Sequence, residues 1–288
     1  MLKNLLNNSK VRVKNPIKVQ EKLEDFIKDG FDRLMVISDF DYTITRYHDE
    51  DNNKCWTTHG VFDSATEFLS PFVTEELQKL KRKYLPIEYD PDISEAEKRP
   101  KMEDWFVFSA IQSAHNLITS VHFERTAIES LVHQTEQLLF DLHCNHVPIF
   151  IFSAGIGNII EIFLKEHFGN MNNIHIISNM MTFDVNNKIN GFEEPLIHTF
   201  SKNSLMMKRD PKFFLKVANR HNVLLMGDSL GDTHMDAGLD DGRTVLKIGF
   251  LNFNIDTLLD KYLDGFDIVL IDDQSMDIPR SISTYSNK

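Results

Sequence analysis

Cysteine is nearly absent, with Cys55 and Cys144 the two in 288 residues. Two thiols cannot build a disulfide framework, and their scarcity fits a reducing compartment. Long hydrophobic runs are missing as well. No apolar stretch approaches the roughly 20 residues that span a bilayer, and Met1–Lys14 is polar and basic, without the apolar segment of a secretory signal. Positive charge is in deficit: 31 Lys and Arg against 43 Asp and Glu give a formal charge of -12. Such a surface repels phosphate backbones, which excludes a nucleic-acid polymer as ligand. A small phosphorylated substrate stays allowed if a metal ion supplies local positive charge. Repeats and low-complexity tracts are also lacking, and with 42% hydrophobic and 26% charged residues collagen, coiled coil and wholesale disorder are excluded. A cytoplasmic monomer without membrane contact is the expectation.

What the chain does contain is a series of short apolar runs: Leu34–Ile37, Val147–Phe152, Ile174–Ile177, Val223–Met226, Val245–Ile248 and Ile268–Ile271. They are rich in Val, Ile and Phe without alternation, as strands buried on both faces of a parallel sheet should be. Helical spacing marks Asn158–Phe168, stopping at Gly169, and Ile255–Leu263, ending near Gly265. Asp210-Pro211 has the form of a helix start through Val217. Strand and helix alternating in this way predict a doubly wound α/β fold with a Rossmann-like parallel sheet. The polar stretch before Lys10 is expected to lack order.

Residues 47–144 break the pattern, holding no convincing buried strand. Thr74–Tyr84 has Leu77, Leu80 and Tyr84 on one helical face. Ser94-Glu95-Ala96-Glu97 matches a capping box ahead of a Trp105–Leu117 helix, which Pro100 is expected to kink or interrupt. Glu124–His143 reads as a further helix. The predicted organisation is an α/β core of residues 1–46 and 145–288, with a helical cap over 47–144 inserted after the first strand.

Chemistry concentrates at strand ends. The run Leu34–Ser38 leads into Asp39-Phe40-Asp41, whose two carboxylates an extended chain aims the same way, into the crevice beyond the sheet. Carboxylates so close cannot both stay charged cheaply without a cation. Val223–Met226 likewise runs into Gly227-Asp228-Ser229-Leu230-Gly231-Asp232, and Asp39, Asp41 and Asp228 together offer the hard oxygens that suit Mg²⁺. A third strand ends in Ser153-Ala154-Gly155, where a hydroxyl and backbone N–H groups open a helix and make a phosphate cradle. Lys202 adds an ammonium that has weight only beside the other three. Nucleophile, acid, hydroxyl donor, lysine and metal carboxylate form the set needed for phosphoryl transfer through an aspartyl-phosphate.

These four segments, in this order, resemble the motifs of the haloacid dehalogenase superfamily of phosphatases. Ile87-Glu88-Tyr89-Asp90-Pro91, Phe150–Gly157, Leu196-Ile197-His198 and Leu246–Asn252 further resemble the cytosolic 5'-nucleotidase III (pyrimidine 5'-nucleotidase) family, over nearly the whole chain. The resemblance implies a 5'-nucleotidase acting on nucleoside 5'-monophosphates. Asp39 would be the nucleophile and Asp41 the general acid, then base. Mg²⁺ would sit on Asp39, the backbone carbonyl of Asp41, and Asp228. Ser153, the Ala154 backbone and Lys202 would hold phosphate. In the cap, Glu88 would bond the base, Ser109 would contact substrate, and His59 and Phe106 would flank the base. Taken alone, Glu88 is by default a solvent-facing glutamate, Phe106 core packing and His59 a loop histidine. Phe106 with His59 is a poor cage for a cationic methylated purine, which favours UMP and CMP over 7-methylguanosine monophosphate. A phosphoserine-type phosphatase with a similar cap is the enzyme alternative. A receiver-type signalling domain is disfavoured, because Asp41 so close to the nucleophile suits turnover and not a stored phosphate.

Overall fold

The computed structural model describes residues 2–69, 71–90, 92–114, 132–186, 189–202, 217–239 and 242–285. Its centre is a seven-stranded sheet in the order β1-β9-β8-β7-β2-β3-β4. These strands are β1 (Val11–Arg12), β2 (Leu34–Ser38), β3 (Ile149–Ile156), β4 (Ile174–Asn179), β7 (Asn222–Gly227), β8 (Thr244–Leu251) and β9 (Ile268–Ile271). Every neighbouring pair is parallel except β1 with β9. All residues of β2 and β7 are buried, which is why these runs show no polar alternation. Successive side chains still divide between two layers. Val36, Ile151, Leu224 and Ile248 pack on one face of the sheet, and Met35, Ile37, Phe150 and Leu225 on the other. Burying each such side chain stabilises the fold by about 1.5–3 kcal/mol.

Local signals explain the flanking helices. α1 (Leu2–Leu6) turns the expected disordered start into a short helix, because Leu5 finds a place in the core. α2 (Pro16–Asp29) begins where the Asn15 side chain accepts a hydrogen bond from the Lys18 N–H, with Pro16 in the first turn. After β3, α7 (Gly157–Phe168) ends at Gly169, which adopts a φ of 66° as it closes the helix on the Lys165 carbonyl. A small hairpin, β5 (Met181–Phe183) with β6 (Ile189–Phe192), follows β4 and was not legible in the sequence. α8 (Ile255–Gly265) and α9 (Asp277–Tyr285) complete the C-terminal part. The expected helix from Asp210 to Val217 lies outside the described residues except for its last residue, Val217, which is helical and buried.

Between β2 and β3 the described chain is mainly helical: α3 (Thr58–Leu69), α4 (Pro71–Tyr89), α5 (Glu95–Ala114) and α6 (Thr135–Cys144). Three expectations are corrected here. α4 continues through Pro86 to Tyr89 and α5 runs on through Pro100. Each proline removes one internal hydrogen bond, and packing between the two helices, including Tyr84 stacked on Trp105 at 5.9 Å, outweighs that loss. The start of α5 is the anticipated capping box, with the Glu97 N–H donating to Ser94 Oγ at 3.4 Å and the Ser94 N–H to Glu97 Oε2 at 3.2 Å. The third correction is to Glu124–His143. Its described part is helical from Thr135 onward, because Gln134 sits at φ 70° and the Val132 N–H donates instead to the Ile44 carbonyl.

Candidate active site

Asp39 leaves β2 still in the parallel ladder, its N–H donating to the Met226 carbonyl at 2.9 Å. Phe40 is fully buried, so Asp39 and Asp41 both point away from it, into the crevice above the sheet. The chain then reverses through Tyr42 at φ 62°, with the Phe40 carbonyl accepting from the Ile44 N–H. Asp228 emerges from the end of neighbouring β7 by the same logic, and on the other side Ser153 lies within β3, where its register with β4 shifts between Phe152 and Ile156. Sheet order thus brings the three strand-end segments together.

Lys202 is the hub. Its ammonium, 4% exposed, donates to Asp39 Oδ1 at 2.6 Å and to Asp232 Oδ1 at 2.7 Å. Burial works against that ammonium, but Asp232 and Asp39 outweigh it and hold Lys202 protonated well beyond the usual lysine range. Asp232 is fixed in turn, its Oδ2 accepting from the Ser229 N–H and hydroxyl at 2.9 Å each. Burial pushes Asp39 up to about 7, with Lys202 opposing and Asp232 adding to the rise. Burial, then Asp39 and Asp232, raise Asp228 well above the ordinary carboxylate range. Four carboxylates at 39, 41, 228 and 232 thus gather at this end of the crevice, with Lys202 bonding Asp39 and Asp232 and Lys54 acting on Asp228, a concentration of negative charge that suits a cation.

One oxygen from each of Asp39, Asp228 and Asp232 lies within 4.8 Å of the others, close enough to share an ion. Hard carboxylate oxygens fit Mg²⁺ by donor chemistry. Asp41 does not contribute its carboxylate to this cluster. That group turns to Thr58, which donates its N–H to Oδ1 at 2.8 Å and its hydroxyl to Oδ2 at 2.7 Å. Thr58 opens α3, so the helix terminus orients the carboxylate. Burial raises the proton affinity of Asp41, and the two bonds from Thr58 pull it partly back. Gly155 is required here: a Cβ would lie 2.1 Å from Thr58 Oγ1 and 3.0 Å from Asp41 Oδ2.

Ser153 is buried and its hydroxyl accepts from the Gly155 N–H at 3.0 Å. The Ala154 carbonyl takes Asn179 Nδ2 at 2.9 Å, and His59 Nε2 lies 3.4 Å from the same oxygen. A cavity of about 930 Å³ begins at Asp39, Asp41 and Asp228 and extends to Trp105 and Glu88. Glu88 departs from its default as a surface residue. It lies on α4, lines the cavity, and accepts at Oε1 from the Thr199 hydroxyl at 2.7 Å. Burial raises its proton affinity, against the Thr199 bond. Phe106 and Ser109 lie on α5, but their side chains are outside the described residues. Residue reading missed Thr58, Asp232 and Thr199 as site residues. Asp232 stood in the Gly-Asp…Gly-Asp motif without a role, and Thr57-Thr58 ahead of a helical run was a cap signal left unused.

The fold and the strand-end acids define a haloacid dehalogenase-like phosphatase. The sheet alone is shared widely: a Vibrio cholerae structure described as a probable phosphoserine phosphatase superposes with TM-score 0.53 at 13% identity, covering 94% of this chain and 72% of that one. Closer similarity is specific. The profile of the pyrimidine 5'-nucleotidase (UMPH-1) family matches residues 42–285. A Caenorhabditis elegans protein named as a cytosolic 5'-nucleotidase 3 is 40% identical over 294 residues, 98% of this chain and 77% of its own. A mouse protein named 7-methylguanosine phosphate-specific 5'-nucleotidase is 36% identical over 281 residues, 95% of this chain and 91% of its own. The crystal structure of cytosolic 5'-nucleotidase IIIB bound to cytidine superposes with TM-score 0.93 at 32% identity, covering 99% of this chain and 97% of that one. The chain belongs to the pyrimidine 5'-nucleotidase family and is a phosphoric monoester hydrolase of the 5'-nucleotidase type.

Proposed function

We propose that the protein hydrolyses nucleoside 5'-monophosphates, UMP and CMP in preference, through an acyl phosphate formed on the Asp39 carboxylate. The observation that carries this reading is the single cavity joining the Asp39–Lys202–Asp232 cluster to Glu88, with phosphate chemistry at one end and a base-reading carboxylate at the other. An Asp39 oxygen attacks phosphorus in line with the 5'-oxygen, and the P–O bond to the nucleoside breaks. Asp41, oriented by Thr58, gives its proton to the departing 5'-oxygen. Water then attacks the phosphorus on Asp39 while Asp41 takes back a proton, releasing inorganic phosphate. Lys202, the Ser153 hydroxyl and the Ala154 N–H hold the equatorial oxygens. Asp39, Asp228 and the Asp41 backbone carbonyl would hold Mg²⁺, with Asp232 beside them. When bound, that ion neutralises charge building on the phosphate oxygens.

Residues 47–144 act as the cap in this reading, closing over the base so that bulk water stays out while the acyl phosphate forms, and opening for release. Glu88 receives N–H groups from the base edge, while His59, which lines the same cavity, flanks its ring. The cytidine-bound relative supports a pyrimidine nucleotide. Relatives named as 7-methylguanosine phosphate-specific support the second reading, a methylated purine nucleotide at the same site. No described helix is long and apolar enough to cross a membrane, and the free thiols of Cys55 and Cys144 with a relative named as cytosolic support a cytoplasmic location. The test is kcat/KM for UMP, CMP, 7-methylguanosine monophosphate and phosphoserine with Mg²⁺. Preference for CMP and UMP is expected. Preference for phosphoserine over every nucleotide would overturn the assignment.

A further inference from the structure

Thr199 sits on a short 3-10 segment, Thr199–Ser201, and lines the cavity. On one side its hydroxyl donates to Glu88 Oε1 at 2.7 Å. On the other its carbonyl lies so close to Gly231 that a Cβ there would approach within 2.6 Å, and Gly231 precedes Asp232. Lys202 follows the segment directly and bonds Asp39 and Asp232. The same stretch is tied to α5 by His198, whose Nε2 lies 3.6 Å from Glu103 Oε1. A few residues therefore join the base end to the phosphate end mechanically.

Glu88 is held at both of its polar ends. Its backbone carbonyl is among the last four of α4, which have no partner within the helix, and Lys98 Nζ donates to it at 2.9 Å. Its carboxylate takes one bond at Oε1, and among the described residues Oε2 accepts none. A glutamate carboxylate turns readily about its last torsion. The bond at Oε1 fixes that plane in a residue that lines the cavity.

We propose that Thr199 is a positioning residue for base selectivity: its hydroxyl orients the Glu88 carboxylate so that the free oxygen meets the N–H edge of the nucleotide base. This rests on the nucleotidase reading and goes beyond it, since Thr199 touches no reacting atom. The alternative for the same bond is competition, with Thr199 occupying an acceptor the base needs, and the two predict opposite signs. The readout is the ratio of kcat/KM for CMP to that for ribose 5-phosphate, which carries the phosphate and sugar without the base. A ratio cancels differences in active fraction, so a poorly folded variant does not confuse it.

Thr199→Val, of equal shape without the hydroxyl, is expected to lower the ratio about tenfold, the scale of one hydrogen bond to a charged group, through KM for CMP more than through kcat. Thr199→Ser, which keeps the donor, should retain the wild-type ratio. In a Glu88→Ala background the same Thr199→Val change should alter the ratio less than about twofold, because the group it positions is gone. A ratio unchanged or raised in Thr199→Val, or an equal fall with and without Glu88, overturns the proposal and leaves the nucleotidase reading standing. Wild-type protein that prefers ribose 5-phosphate to every nucleotide would remove both.

Discussion

The two ends of the cavity are built by different physics. The proposed phosphate end stands on the central strands of the sheet, β2 and β7 buried throughout, where Asp39, Ser153 and Asp228 occupy positions dictated by strand order. Lys202 pairs by charge with Asp39 and Asp232, and Thr58 adds two neutral hydrogen bonds to Asp41. The proposed base end stands on α4 and α5, helices packed on each other through Tyr84 and Trp105, where the Glu88 carboxylate takes a neutral hydroxyl bond from Thr199 and no charged partner bonds it among the described residues. A sheet terminus is rigid and suits a reaction that tolerates little displacement. A helical layer can move, and suits a ligand that must enter and leave.

If that contrast is right, substitutions at the phosphate end should act on kcat for every substrate, and those at the base end on selectivity. The largest effect is expected from Asp39→Asn, which removes the attacking carboxylate. Turnover of CMP and ribose 5-phosphate should fall together by about 10⁴-fold or more, as loss of a nucleophile does. A fall confined to CMP would break the comparison. Next comes Gly155→Ala, whose Cβ would collide with Thr58 and crowd Asp41. A displacement of about 1 Å at the acid should cost roughly 10²-fold in kcat for both substrates, with the fold retained by circular dichroism.

Glu88→Gln sharpens the other side. It keeps volume and can still accept from Thr199, but replaces one carboxylate oxygen by a donor. The CMP to ribose 5-phosphate ratio should drop by about 10- to 100-fold, on the scale of a mispaired buried polar group, with ribose 5-phosphate turnover nearly level. The smallest effect lies outside both ends, at the loop leading to α3. His48 Nε2 lies 2.7 Å from Asp272 Oδ1, and the Asp49 carbonyl followed by Asp272 raises its proton affinity above the ordinary 6.5. A raised folded-state value means the stabilisation is complete below about pH 6.5 and is lost as pH climbs through the raised value. His48→Gln should flatten that part of the stability profile by a few tenths of a kcal/mol in thermal melts, without touching kcat.

The same contrast governs what the sequence discloses. Asp39-Phe40-Asp41 and Asp228 follow uninterrupted apolar runs, so a strand end and its aim can be read from one segment at a time. Glu88 cannot be read so. Two prolines nearby suggest a broken segment, and only the packing of α4 on α5 carries the helix past Pro86 and turns Glu88 inward. The resemblance to a known family placed it where residue reading alone left it at the surface. Thr58 and Thr199 were missed because a hydroxyl declares nothing about its partner. Their acceptors lie 17 and 111 residues away, and that distance closes only in the folded chain. Asp210–Lys216 and the side chains of Phe106 and Ser109 lie outside the described residues.

The central claim is that Asp39 carries the phosphate between the two halves of the reaction, and acid-quenched turnover analysed by mass spectrometry tests it directly. Enzyme mixed with CMP and Mg²⁺ and quenched during steady state should yield a peptide with phosphate on Asp39, and the label should vanish once substrate is spent. Sustained release of cytidine and phosphate with Asp39 unmodified at every time point would contradict the account.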